Sequence, residues 1–192
     1  IATQSSVNDV KPPTAPFSKL LIVSNLDAKS GVLTAVKAIC LARENKIKTT
    51  LAIYGRGDTD YIAQLRSYIA MHQVPVDFLP VSNLVRDLPA LYRKYDGVLH
   101  TSEWNEPYSL TPLEGIASGL PVIGTTIGGA GELFRHGENA LTYMPGDEAD
   151  LARRLQELHD QPDLRARIAD NAQQEVLAKF NETAVMDRIE NY

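Results

Sequence analysis

Short apolar runs alternate with stretches of helical periodicity along almost the whole chain, and that alternation leaves few folds open. The runs are "KLLIVSNL" (19–26), "TTLAIYGRG" (49–57), "VDFLPVS" (76–82), "DGVLHTS" (96–102), "LPVIGTT" (120–126) and "NALTYM" (139–144). Several are apolar on successive residues, as strands buried on both faces are. Between them, "GVLTAVKAICLAREN" (31–45) has apolar residues at 32, 33, 36, 39 and 40, which is helical spacing. "DTDYIAQLRSYIAMH" puts Ile62, Leu65 and Ile69 on one helical face. "NLVRDLPALYRKY" (83–95) reads as a helix interrupted near Pro89, and "TPLEGIASG" (111–119) as a helix closed by glycine. "GGAGELFRHG" (128–137) reads as a short helix between glycines, and everything from Asp147 on as helical.

Strict strand-then-helix order demands parallel strands joined by right-handed crossovers. The expected fold class is α/β: a doubly wound, mainly parallel, six-stranded Rossmann-like sheet with helices on both faces. Ligands of such sheets bind outside the carboxyl ends of the strands. The loops to inspect therefore follow Leu26, Tyr54, Ser82, Ser102 and Thr126.

The 192 residues suffice for one domain with a proper core. "IATQSSVNDVKPPTAPFS" (1–18) is rich in Ser, Thr and Pro without helical periodicity, and reads as a linker from a preceding domain. The domain expected after it runs over 19–192. A net charge of −5 supplies no polybasic footprint for nucleic acid or an anionic membrane. The single cysteine, Cys40, makes no internal disulfide, and a reducing, cytoplasmic location is expected. No run reaches the length of a membrane span, so any membrane attachment would be peripheral, through the rest of the protein.

The segment after the fourth run, "NEPYSLTPLE" (105–114), holds two acids, Glu106 and Glu114, with seven residues between them. Thr111, Pro112 and Glu114 fit a capping box: N-cap, N1 and N3. A helix start also presents free N–H groups to an anion. Amides for phosphate, with flanking carboxylates for hydroxyls, suit a sugar–phosphate ligand. "YGRGD" (54–58) puts glycines at a strand end, where backbone approaches a ligand closely or merely turns. "DTD" (58–60) resembles an Asp-x-Asp metal pair but reads as a helix cap. "GTTIGGAGEL" (124–133) is either a phosphate cradle or a tight connection. Lys29 is placed to reach a phosphate at the sheet edge or to stay solvated. The histidines lack metal spacing, and His100 reads as a strand-end core residue.

Taken together, "SEWNEPYSLTPLEGIASGLPVIGTTIGGAGEL" (102–133) resembles the signature of the retaining glycosyltransferases of family four, the group-one transferases of GT-B fold. The pattern comprises the acid pair Glu106 and Glu114, the run Gly119 to Ile123, and the turn Gly128 to Glu132. The resemblance implies the carboxy-terminal, donor-binding half of an enzyme that moves a sugar from a nucleotide sugar to an acceptor. That acceptor, a glycan, lipid or protein, would be held by an amino-terminal half. The resemblance implies no metal and no cofactor beyond the nucleotide-sugar substrate. It gives Glu106 the donor sugar as the catalytic residue, Glu114 the ribose, and the amides at Ser109, Leu110 and Thr111 the diphosphate. Gly55 would lie near the donor. Asn25 stands where the family commonly has arginine, Lys29 at about its lysine, and Ser109 where glycine is usual. Without that charge the site would be weakened, or another residue such as Arg56 would substitute for it. The alternatives are a degenerate GT-B-like domain acting as a non-catalytic interaction module, or another enzyme on this architecture, such as a nucleotide-sugar epimerase or a phosphorylase.

Overall fold

The computed structural model describes residues 16–80, 88–107 and 110–179. Six parallel strands form one sheet in the order β3-β2-β1-β4-β5-β6. They are β1 (Lys19–Val23), β2 (Thr50–Tyr54), β3 (Val76–Leu79), β4 (Gly97–His100), β5 (Val122–Gly124) and β6 (Leu141–Thr142). The helices are α1 (Val32–Glu44), α2 (Thr59–His72), α3 (Leu88–Tyr92), α4 (Leu110–Ala117), α5 (Ala130–Leu133), α6 (Glu148–Asp160) and α7 (Pro162–Lys179). This is the doubly wound sheet expected from the alternation.

Period-two geometry divides the core between the two faces of the sheet. Leu20 and Ile22 pack with residues of α1, α2 and α6. Leu21, one step along, packs with residues of α3, α4 and α7. Burial on both faces explains why β1 is apolar on successive residues. Packing starts ahead of β1, within the stretch the sequence reads as linker. Phe17 is buried, and Asp96 Oδ2 accepts the N–H of Ser18 at 3.1 Å and of Lys19 at 2.8 Å.

The expected strands run past the observed ones at their carboxyl ends. β1 stops at Val23, yet Leu26 still pairs with Gly57 in an isolated parallel bridge. Asp58 caps α2 by accepting Tyr61 N–H at 2.8 Å, so "DTD" starts a helix. The chain reverses its direction of growth between β1 and β4, and the crevice above those two strand ends is where such sheets hold ligands.

Candidate functional site

A cavity of about 380 Å³ opens at this switch point. Its walls are the ends of β1, β2 and β4, the loops that follow them, and the start of α4. Of the residues singled out from sequence, Asn25, Gly55, Arg56, Glu106 and Thr111 line it. Lys29, Leu110 and Glu114 do not, and Ser109 lies outside the described residues.

Backbone hydrogen bonds hold the loops around the cavity. Leu26 N–H donates to Arg56 O at 3.0 Å, and Asp58 N–H to Leu26 O at 2.8 Å. A Cβ on Gly55 would fall 1.9 Å from Ser24 O, and one on Gly57 2.2 Å from Leu26 O. Both glycines are therefore needed for loop to meet loop, and Gly55 also lines the cavity, so the two readings left open by the sequence meet in this turn. Across the crevice, Thr101 Oγ1 donates to Ser30 O at 2.6 Å and Glu103 N–H to Lys29 O at 2.9 Å. The β1–α1 and β4–α4 loops are thus one bonded unit.

Glu106 is half-buried at the cavity wall. Burial pushes its carboxyl above the usual range, a hydrogen bond from the Ser102 side chain pulls it back, and the negative charge of Asp27 adds to the rise. Its backbone is clamped by the glycine-rich turn after β5. Gly129 N–H donates to Glu106 O at 2.9 Å. Gly128 has φ +66°, and a Cβ there would sit 2.2 Å from that same oxygen. The turn in "GTTIGGAGEL" thus approaches the Glu106 segment, which is what its glycines allow.

Glu114 departs from the expected capping box. Helix α4 begins at Leu110, one residue ahead of the proposed N-cap, so Thr111 is already helical and Glu114 lies beyond the first turn. Pro112 fits there because the first N–H groups of a helix have no partner within it. The Glu114 carboxylate is engaged by another element: Tyr92 of α3 donates its hydroxyl to Oε2 at 3.0 Å and lies 3.3 Å from Thr111 O. Leu110 is exposed, and its side chain lies outside the cavity wall.

Neither Lys29 nor Lys37 lines the cavity. The Lys29 ammonium lies 6.0 Å from the ring centroid of Trp104, and Lys37 pairs with Glu148 at 3.6 Å. His100 does line it, but its imidazole is buried edge-on to Phe134, and desolvation lowers its pKa to about 4. It is neutral at pH 7. Three site residues escape a motif reading. Asp27 and Trp104 line the cavity without being positions of a motif the sequence singles out, and their signal is only their place in strand-end loops. Tyr92 lies off the cavity wall and bears on the site only through its bonds to Glu114 and Thr111, from a different element altogether.

Residues 10–175 match the family model described as glycosyl transferases group 1. Glycogen synthase of Mycobacterium tuberculosis is 31% identical over 174 residues, covering 89% of this chain and 41% of that protein. The chain thus spans about two fifths of that relative's length. The crystal structure of Anabaena HepE in complex with UDP-glucose superimposes with a TM-score of 0.83 at 27% identity, over 93% of this chain and 49% of that one. The C-terminal domain of a group 1 glycosyl transferase, LpcC of Francisella tularensis, shares the fold at a TM-score of 0.79 and 22% identity, over 87% of this chain and 88% of that one.

Proposed function

Because the chain belongs to the group 1 glycosyltransferases, we propose that it is the donor-binding domain of a retaining transferase, working as part of a longer protein. The observation that carries this reading is one cavity, at the sheet's switch point, that gathers Asn25, Arg56, Glu106 and Thr111. Its volume of about 380 Å³ falls in the range of small-molecule sites. The similarity to HepE in its complex with UDP-glucose favours a uridine nucleotide as donor.

The chemistry follows from the wall. The start of α4, with Thr111, offers N–H groups and the positive end of a helix dipole to phosphate oxygens. Glu106, half-buried and held by Gly129, would take the hydroxyls of the sugar. Transfer with retention would develop negative charge on the leaving diphosphate and positive charge on the sugar, both stabilised by fixed donors and acceptors. The acceptor would be a glycan, lipid or protein held by a second half. The family match points to transfer rather than epimerisation or phosphorolysis.

Calorimetric titration with UDP, UDP-glucose, UDP-N-acetylglucosamine and GDP-mannose tests the reading. Uridine nucleotides are expected to bind, and Glu106→Gln to weaken the sugar nucleotides more than UDP. The reading is overturned if none binds and no amide resonance near Asn25, Arg56 and Glu106 shifts. That outcome would favour the non-catalytic module, in keeping with Asn25 on the cavity wall and Lys29 off it.

A further inference from the structure

We propose that Arg56 is the residue of this domain that neutralises the diphosphate of its nucleotide. The inference rests on the donor-binding reading and names the charge that would make it work. Among the described residues, Arg56 is the single cationic side chain lining the cavity. His100 is neutral there, and Lys29 stands over Trp104 instead. Asp27 and Glu106 make the wall itself acidic. A diphosphate brings further negative charge into that wall. The dipole of a helix end offsets only about half an elementary charge. A guanidinium adds a full charge and a fork of donors matched to phosphate oxygens.

The backbone presents this side chain in a defined place. Val23 is opposite Tyr54 in the ladder, and Leu26 is opposite Gly57 in the bridge beyond it. The shared register sets Arg56 opposite Asn25, side by side at the mouth of the same cavity. Arg56 is the only side chain in a Gly-Arg-Gly triplet whose two glycines touch the neighbouring loop. Its carbonyl is held by Leu26 N–H at 3.0 Å. Its side chain is exposed and enters no ion pair among the described residues, so it can turn to a ligand without breaking a contact.

The test measures UDP and uridine binding, by calorimetry and by NMR shift titration, for the wild type, Arg56→Ala, Arg56→Lys and the double variant Arg56→Ala with Asn25→Arg. Far-UV circular dichroism and melting check that each variant folds. Arg56→Ala should lose roughly 10- to 100-fold in UDP affinity, as expected for a charge-assisted contact, with uridine binding unchanged. Arg56→Lys should recover part of the loss. Asn25→Arg should recover most of it, because it returns a guanidinium to the same register one strand away. Equal UDP affinity for wild type and Arg56→Ala, or an equal loss for uridine, overturns the assignment while leaving the donor site standing. If wild type binds no nucleotide, the assignment falls together with the donor-binding reading. Binding that then appears only with Asn25→Arg would identify a degenerate site.

Discussion

Tyr92 donates its hydroxyl to Glu114 Oε2 at 3.0 Å, tying the buried end of α3 to the helix that opens onto the cavity. The phenol is almost fully buried, and burial beside the Glu114 carboxylate pushes its pKa up. The hydroxyl is therefore protonated, and a donor, at neutral pH. Tyr92→Phe keeps the ring and removes the bond. A hydrogen bond to a charged group is worth about 1.5–3 kcal/mol, so a thermal melt should fall by several degrees, at about 2–4 °C per kcal/mol for this size. If Glu114 serves the ribose, UDP and uridine should weaken alike. That pattern separates it from the diphosphate-specific loss expected for Arg56→Ala.

The same pair shows where sequence reading stops. All six strands were legible, because strands buried on both faces leave continuous apolar runs. Their ends were not, because Leu26 is as apolar as Ile22 although it belongs to a bridge and not to the strand. Within the site, Glu106 and Thr111 were legible from a local pattern that the cavity wall shares. The partner of Glu114 was not, because Tyr92 lies 22 positions away and on another helix. Local spacing suggested a capping box for Glu114, and a long-range hydroxyl has taken its place. Local spacing left the glycines open between approach to a ligand and a tight turn, because the loops that Gly55, Gly57 and Gly128 meet are distant in sequence.

His100 makes a pH signature for the site. Its folded pKa is lowered to about 4 by burial, against an ordinary value of 6.5. The unfolded chain therefore binds a proton between these values when the folded domain does not. Stability is complete above pH 6.5 and declines as pH falls toward 4, by on the order of 3 kcal/mol over the full window. Urea unfolding at a series of pH values should show that decline, and His100→Gln should flatten it. A wild-type curve flat from pH 6.5 to 4.5 would count against a buried, neutral imidazole.

Glu175 governs the next window down. It accepts from Arg135, Lys179 and Asn139, linking α7 to the loop before β6. The Arg135 hydrogen bond chiefly holds its pKa down at about 2, against an ordinary 4.5. A depressed acid contributes stability that is present above pH 4.5 and lost as pH falls through 2. Glu175→Gln should therefore destabilise the domain at neutral pH. The gap to wild type should narrow between pH 4.5 and 2, as acid unfolding monitored by circular dichroism would record. A gap independent of pH would mean that neutral hydrogen bonds, not charge, hold α7 there.

Gly128 tests whether the turn after β5 positions Glu106. Its φ of +66° is costly for any residue with a Cβ, and the added carbon would lie 2.2 Å from Glu106 O. Gly128→Ala must shift one backbone or the other, at a cost of roughly 1–3 kcal/mol. The Gly129 N–H to Glu106 O bond lies within the displaced segment, so Glu106 should move with it. A melt should record the lost stability. Under the donor-binding reading, affinity for UDP-glucose should then fall further than affinity for UDP, because Glu106 would face the sugar while the diphosphate keeps the α4 N-terminus and Arg56. Equal losses for both ligands would show that the turn supports the whole cavity rather than this one carboxylate. A melt unchanged from wild type would show that the loop gives way at no cost, and that Gly128 does not fix Glu106.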